Sequence, residues 1–158
     1  MAEIRSGIGF DVHAFDISRP LRLGGVEIAD APGLAGHSDG DAVAHAIADA
    51  LLGAAALGDV GEHFPDTDPS IEGIEGIALL ERTVALVRDA GFAVSSVDVS
   101  VIAARPPITP SKPRMREALA ASLGVAVDAV SVKATRPEGL GLTGEGIGCL
   151  AVAVLERR

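Results

Sequence analysis

The sequence predicts an α/β fold, a two-layer α+β sandwich in which a mixed sheet carries helices on one face. Three observations predict it. AVSSVDVSVIAA, residues 93–104, alternates apolar with small polar residues as a half-buried strand does. An alanine-rich stretch near 39–55 and a second near 74–89 have helical period. Strand and helix signals then interleave along the chain, the order expected of a sheet packed against helices. The opposite sheet face also needs cover, and its apolar alternation makes it a candidate subunit interface.

Each element has its local reason. IRSGIGFDVH (4–13) and LRLGGVEI (21–28) read as two strands joined by FDISRP, where a proline marks a break. After the loop ADAPGLAGH (29–37), a helix over about 39–55 is signalled by Ser38 with Asp41 three residues on. LGDVGEHFPDTDP (57–69) is too rich in Gly, Pro and Asp for anything but loop. The second helix closes at Gly91. RPPITPSKP (105–113) reads as loop because its prolines cannot donate ladder or helix bonds. A third helix over about 114–123 leads to strand VSVKAT, a glycine-rich loop and a last strand, IGCLAVAVLE.

With 158 residues, 48% of them hydrophobic, the chain is long enough for one domain with a real core, spanning 1–158. Its apolar runs are short and MAEIRSGIGF lacks a secretion signal, so no membrane partner and a cytoplasmic location are expected. The net charge of −9 argues against a nucleic-acid surface, which needs clustered cations, and the lack of Trp and Tyr removes most stacking platforms. An anionic small molecule can still bind where metal ions or N–H groups supply local positive potential. Cys149, the only cysteine, stands in an apolar stretch and reads as a core thiol.

Within GFDVHAF, Asp11 and His13 stand two apart and so share one side of a strand. A carboxylate and an imidazole together supply two ligands of a zinc site, and one further ligand would leave the fourth position open. The pair taken alone reads first as an ordinary surface Asp and His at a strand end. In GHSDGDAVAHAIADALLG, His45 follows Asp41 by one helical turn and Asp49 follows by another, a polar stripe amid alanines. His37, Ser38, Asp39 and Asp41 cluster at the helix start, where free N–H groups favour an anion. Asp59, Glu62, His63, Asp66 and Asp68 fall within one loop, suited to hydroxyl groups or merely solvated. Gly139, Gly141 and Gly144 match G-x-G-x-x-G, but the dinucleotide reading fails because no helix follows. Glu138 at that loop's mouth could hold a hard cation.

These segments together, GFDVHAF, GHSDGDAVAHAIADALLGAAALGDVGEHFPDTDP and VKAT followed by EGLGLTG, resemble the 2-C-methyl-D-erythritol 2,4-cyclodiphosphate synthase family of the non-mevalonate isoprenoid pathway. The resemblance runs from about residue 5 to the last strand. It implies a phosphorus–oxygen lyase that cyclises 4-diphosphocytidyl-2-C-methyl-D-erythritol 2-phosphate and releases CMP. It implies Zn2+ on Asp11, His13 and His45 with an open fourth position, and Mg2+ or Mn2+ held with the substrate diphosphate by Glu138. It further implies catalytic contacts from His37, Ser38, Thr135 and Glu138, and substrate contacts from Asp59, Gly61, Asp66, Ala103, Ile108 and Arg136. Family members are homotrimers with active sites between subunits.

The chain departs from the family pattern at three places. Pro107 stands where many members carry lysine, Arg136 and Pro137 replace further threonines after VKAT, and TGEG shortens the common TGRGEG. The nucleotide side and the trimer axis therefore differ from the pattern more than the zinc side does. A metal-dependent phosphoesterase and a metal-binding or isoprenoid-binding protein without turnover are the competing readings. Release of inorganic phosphate would mark the first, and tight metal binding without CMP release the second.

Overall fold

The computed structural model describes residues 3–141 and 144–158. The glycine-rich loop residues Leu142 and Thr143, part of the EGLGLTG and TGEG segments, lie outside the described residues. Five strands, β1 (Ile4–Leu23), β2 (Val26–Leu34), β3 (Phe92–Ala103), β4 (Val130–Thr135) and β5 (Gly146–Arg157), form one mixed sheet in the order β2-β1-β5-β3-β4. Only the β3–β4 pair is parallel, and the helix α4 (Lys112–Leu123) makes that crossover. The helices α1 (Ala42–Ala54), α2 (Val60–His63) and α3 (Gly76–Asp89) occur between β2 and β3.

The expected α/β sandwich is present, with several boundaries corrected. The two strands expected at 4–13 and 21–28 are not separate elements. β1 runs unbroken through FDISRP, bending where its pairing with β2 shifts between Asp16 and Leu21. LRLGGVEI spans a tight hairpin instead, because Gly24 and Gly25 take φ of 58° and 76° and permit a two-residue turn. Most of the expected 29–37 loop consequently belongs to β2. The loop expected over 57–69 contains α2, whose first turn is capped by Asp59, and a 3-10 turn at Pro69–Ile71. α4 starts at Lys112, inside the expected proline loop, since Pro113 sits in the first turn where its missing N–H costs nothing.

α1 is buried nearly all round, between the sheet on one side and α3 on the other. Its alanines and the strand glycines beneath it let two backbones meet. A Cβ on Gly9 would stand 1.9 Å from the Ala46 carbonyl oxygen, and one on Gly7 would stand 2.1 Å from that of Ala50. Only hydrogen fits there, so the second and third turns of α1 lie directly over the first half of β1. The core is built around this contact from Leu21, Leu23, Ile47, Leu51, Leu80, Met115, Ile147 and Leu155. Cys149 belongs to it, and burial pushes its thiol well above the ordinary range, with Asp41 and Asp11 adding to the effect.

The opposite face of the sheet is open in the single chain. Ile8, Phe10 and Val12 of β1 and Leu150 and Val152 of β5 are all exposed. Register pairs Phe10 with Leu150 and Ile8 with Val152, so these side chains form one contiguous apolar patch. Among the described residues, no helix is long and apolar enough to cross a membrane.

Candidate metal centre and active-site cleft

Strand alternation and the glycine-permitted contact together bring three ligands to one point. Asp11 and His13 project from β1 toward the helical layer, and His45 descends from the first turn of α1. Their ligating atoms all lie within 4.8 Å of one another. His13 Nε2 is 2.7 Å from Asp11 Oδ2, and His45 Nδ1 is 3.3 Å from that same oxygen and 3.4 Å from His13 Nε2.

These separations test the fit of a metal. Ligands at about 2.0–2.1 Å from a tetrahedral ion are separated by roughly 3.3 Å. Two of the three edges match, and the third is shortened by the direct Asp11–His13 hydrogen bond. The orienting partners agree as well. His13 Nδ1 donates to the Ala35 carbonyl at 2.6 Å, which leaves Nε2 as the ligating atom. His45 Nε2 meets the buried Ser38 hydroxyl at 3.0 Å and leaves Nδ1 facing the cluster. The three residues fit one divalent ion.

Electrostatics favour the same outcome. Burial opposes ionisation of Asp11, but hydrogen bonds from His13 and His45 outweigh it and bring the carboxyl down to about 2. The hydrogen bond to Asp11 raises the His13 pKa against the smaller effect of burial. An ionised carboxylate between two imidazoles is a site prepared for a cation.

The cluster opens into a cavity of about 520 Å³, whose polar lining includes His37, Ser38, Asp49, Asp59 and Asp66 and which Gly61 also lines. Phe64, Ile71, Ile74 and Leu79 supply an apolar wall. A second cavity of about 210 Å³, lined by Ala103, Ile108, Thr135 and Arg136 among others, forms at the β3–α4 connection and the end of β4. No lining residue is common to the two cavities. Pro107, the departure at the lysine position, lines the second one. Glu138 is exposed beyond β4, with φ of 50°, and is not a member of the Asp11–His13–His45 cluster.

The helix start needs correction. Ser38 does not cap α1. Asp41 does, accepting from Ala44 N at 3.0 Å, and the same carboxylate accepts from Gly24 N and Gly25 N at 2.8 Å each. Its carboxylate therefore fills the first turn that the sequence offered to an anion. Burial raises the pKa of Asp41 while these backbone donors oppose the rise. Ser38 is released from capping and turns its hydroxyl to His45.

Two roles escaped sequence reasoning. Asp49, read only as part of a polar stripe, accepts from Val60 N at 3.0 Å and ties the cleft loop to α1. Gly7 and Gly9 set the helix height, and glycines spaced by two within a strand were the signal available.

Fold and site together define an α/β protein with an open three-ligand centre for one divalent metal at the floor of a cleft. The chain belongs to the YgbB family, whose model matches residues 4–156. It is 52% identical over 152 residues to the 2-C-methyl-D-erythritol 2,4-cyclodiphosphate synthase of Trichlorobacter lovleyi, covering 96% of this chain and 97% of that one. Among solved structures, the bifunctional IspDF from Campylobacter jejuni matches at a TM-score of 0.95 and 41% identity. That match covers 100% of this chain, which spans 43% of the bifunctional protein. A 2C-methyl-D-erythritol-2,4-cyclodiphosphate synthase in a CDP-bound form matches at 0.88 and 33% identity, covering 96% of this chain and 99% of that one.

Proposed function

We propose that this chain is a 2-C-methyl-D-erythritol 2,4-cyclodiphosphate synthase. It would convert 4-diphosphocytidyl-2-C-methyl-D-erythritol 2-phosphate into the cyclic diphosphate and CMP, in isoprenoid precursor biosynthesis. The observation that carries the reading is the Asp11–His13–His45 cluster, at the floor of a cleft in a chain 52% identical to such a synthase over nearly its whole length.

In the reaction, an oxygen of the 2-phosphate attacks the β-phosphorus, the bond to the bridging oxygen breaks, and CMP leaves with that oxygen. The leaving phosphate is stable as an anion, so no protonating side chain is required. The difficulty is bringing two anionic phosphates together, which is a task of positioning and charge neutralisation. Zinc on the three ligands, with magnesium or manganese beside Glu138, would supply Lewis-acid neutralisation of the diphosphate. His37 and Ser38 lie at the phosphate end of the cleft in this reading, while Asp59, Gly61 and Asp66 take the methylerythritol hydroxyls. Thr135 serves as a catalytic contact in this reading, and Ala103, Ile108 and Arg136 beside it bind the rest of the substrate, which suits the CDP-bound form of the related synthase.

Two disjoint cavities in one chain support a homotrimer whose sites form between subunits, and the apolar patch on β1 and β5 gives such an interface a surface. The chain is read as one domain over 1–158, a phosphorus–oxygen lyase, and a cytoplasmic protein without nucleic-acid or membrane partners. The test is phosphorus NMR of the protein with that substrate, with and without zinc and magnesium. Cyclic diphosphate and CMP formed only with metal would bear the reading out. Unchanged substrate, under conditions where a related synthase turns over, would refute it.

A further inference from the structure

We infer that Arg19 is a positioning residue, which holds the strap 34–38 against both the metal ligands and the phosphate end of the cleft. Its guanidinium donates to three backbone carbonyls, those of Leu34 at 3.0 Å, Gly36 at 2.9 Å, and Ser38. β2 ends at Leu34 and the chain bends over 36–39, so the carbonyls of 34, 36 and 38 converge where one planar fork of N–H groups can gather all three. An ammonium group has the charge but not the reach.

The strap connects two functions. The Ala35 carbonyl between the first two acceptors orients His13 through Nδ1, and the Ser38 hydroxyl touches His45 Nε2. His37 and Ser38 themselves line the cleft. Among the described residues the strap is otherwise fastened by the ladder pairing of Leu34 with Phe15, by Gly40 N donating to Ser38 Oγ, and by the backbone bonds Ala35 N to Ala14 O, Gly73 N to His37 O and, just beyond it, Asp39 N to Ile74 O. Removing the fork thus loosens the partners of two ligands without touching either ligand. Partners of this kind alter metal affinity or activity by about 10- to 100-fold when lost.

The inference about the phosphate end rests on the proposed function, while the inference about the metal ligands does not. The test uses the whole protein with Arg19→Lys and Arg19→Gln, measured in whichever variant folds, by zinc competition against a chelator and by amide hydrogen exchange. Zinc affinity is expected to fall about tenfold, with exchange accelerated at Ala35, Asp39, Gly40 and Gly73 relative to α1 and β5. Unchanged zinc affinity, or acceleration spread evenly over α1 and β5, would overturn the inference. Failure of the wild-type chain to cyclise the substrate would instead overturn the proposed function and leave both readouts valid.

Discussion

The Nε2 of His45 lies 3.0 Å from the Oγ of Ser38, and on the other side of the ring Nδ1 lies 3.4 Å from His13 Nε2. One imidazole thereby joins the strap before α1 to the strand beneath it. The ring can rotate only by breaking its contact with Ser38 or leaving the metal cluster.

His45→Ala removes one of three ligands while opening a small space at the cleft floor. We expect loss of stoichiometric zinc binding and of CMP release, with the circular dichroism spectrum unchanged. Full activity in the variant would remove His45 from the site.

Ser38→Ala leaves all three ligands and deletes the group that orients one. Zinc affinity should weaken by about tenfold, as for other outer partners of metal ligands. Chelator competition measures it, and an unchanged constant would mean that packing alone holds the ring.

Gly9→Ala places a methyl group 1.9 Å from the Ala46 carbonyl oxygen. Backbone cannot yield there, so α1 must lift from β1, at a cost of about 3 kcal/mol or more. Urea unfolding should show the loss, and zinc affinity should fall with it because His45 rises with the helix. Gly144→Ala, where nothing lies within 4 Å of the added atom, is the matched control.

Metal binding should be pH-dependent with a definite sign. The raised His13 pKa means that its proton competes with a metal to higher pH than a free imidazole's would. For the His13 proton alone, affinity should be flat above that pKa and fall by up to tenfold per pH unit below it. Asp11, brought down to about 2, remains ionised throughout that range and adds no slope. Zinc titrations between pH 5 and pH 9 test this, and a constant affinity across them would contradict it.

Legible in the sequence were the α/β class, four of the strand regions, the three longer helices to within a few residues, and the candidate metal ligands as residue types at workable spacings. Those features are local: strand alternation sets Asp11 beside His13, and the helical period sets His45 on one face of α1. Tertiary structure decided the rest. The cap passed from Ser38 to Asp41 because the hairpin at Gly24 and Gly25 brings two N–H donors to Asp41 from outside the helix. β1 continued through Pro20 because β2 folds back along it, a pairing that no short window contains. The closeness of His45 to Asp11 depends on two backbones meeting over Gly7 and Gly9, and the hold of Arg19 on its strap joins residues 15 to 19 apart. Periodicity reports which side a residue faces; the separation of two facing elements is set by what fits between them.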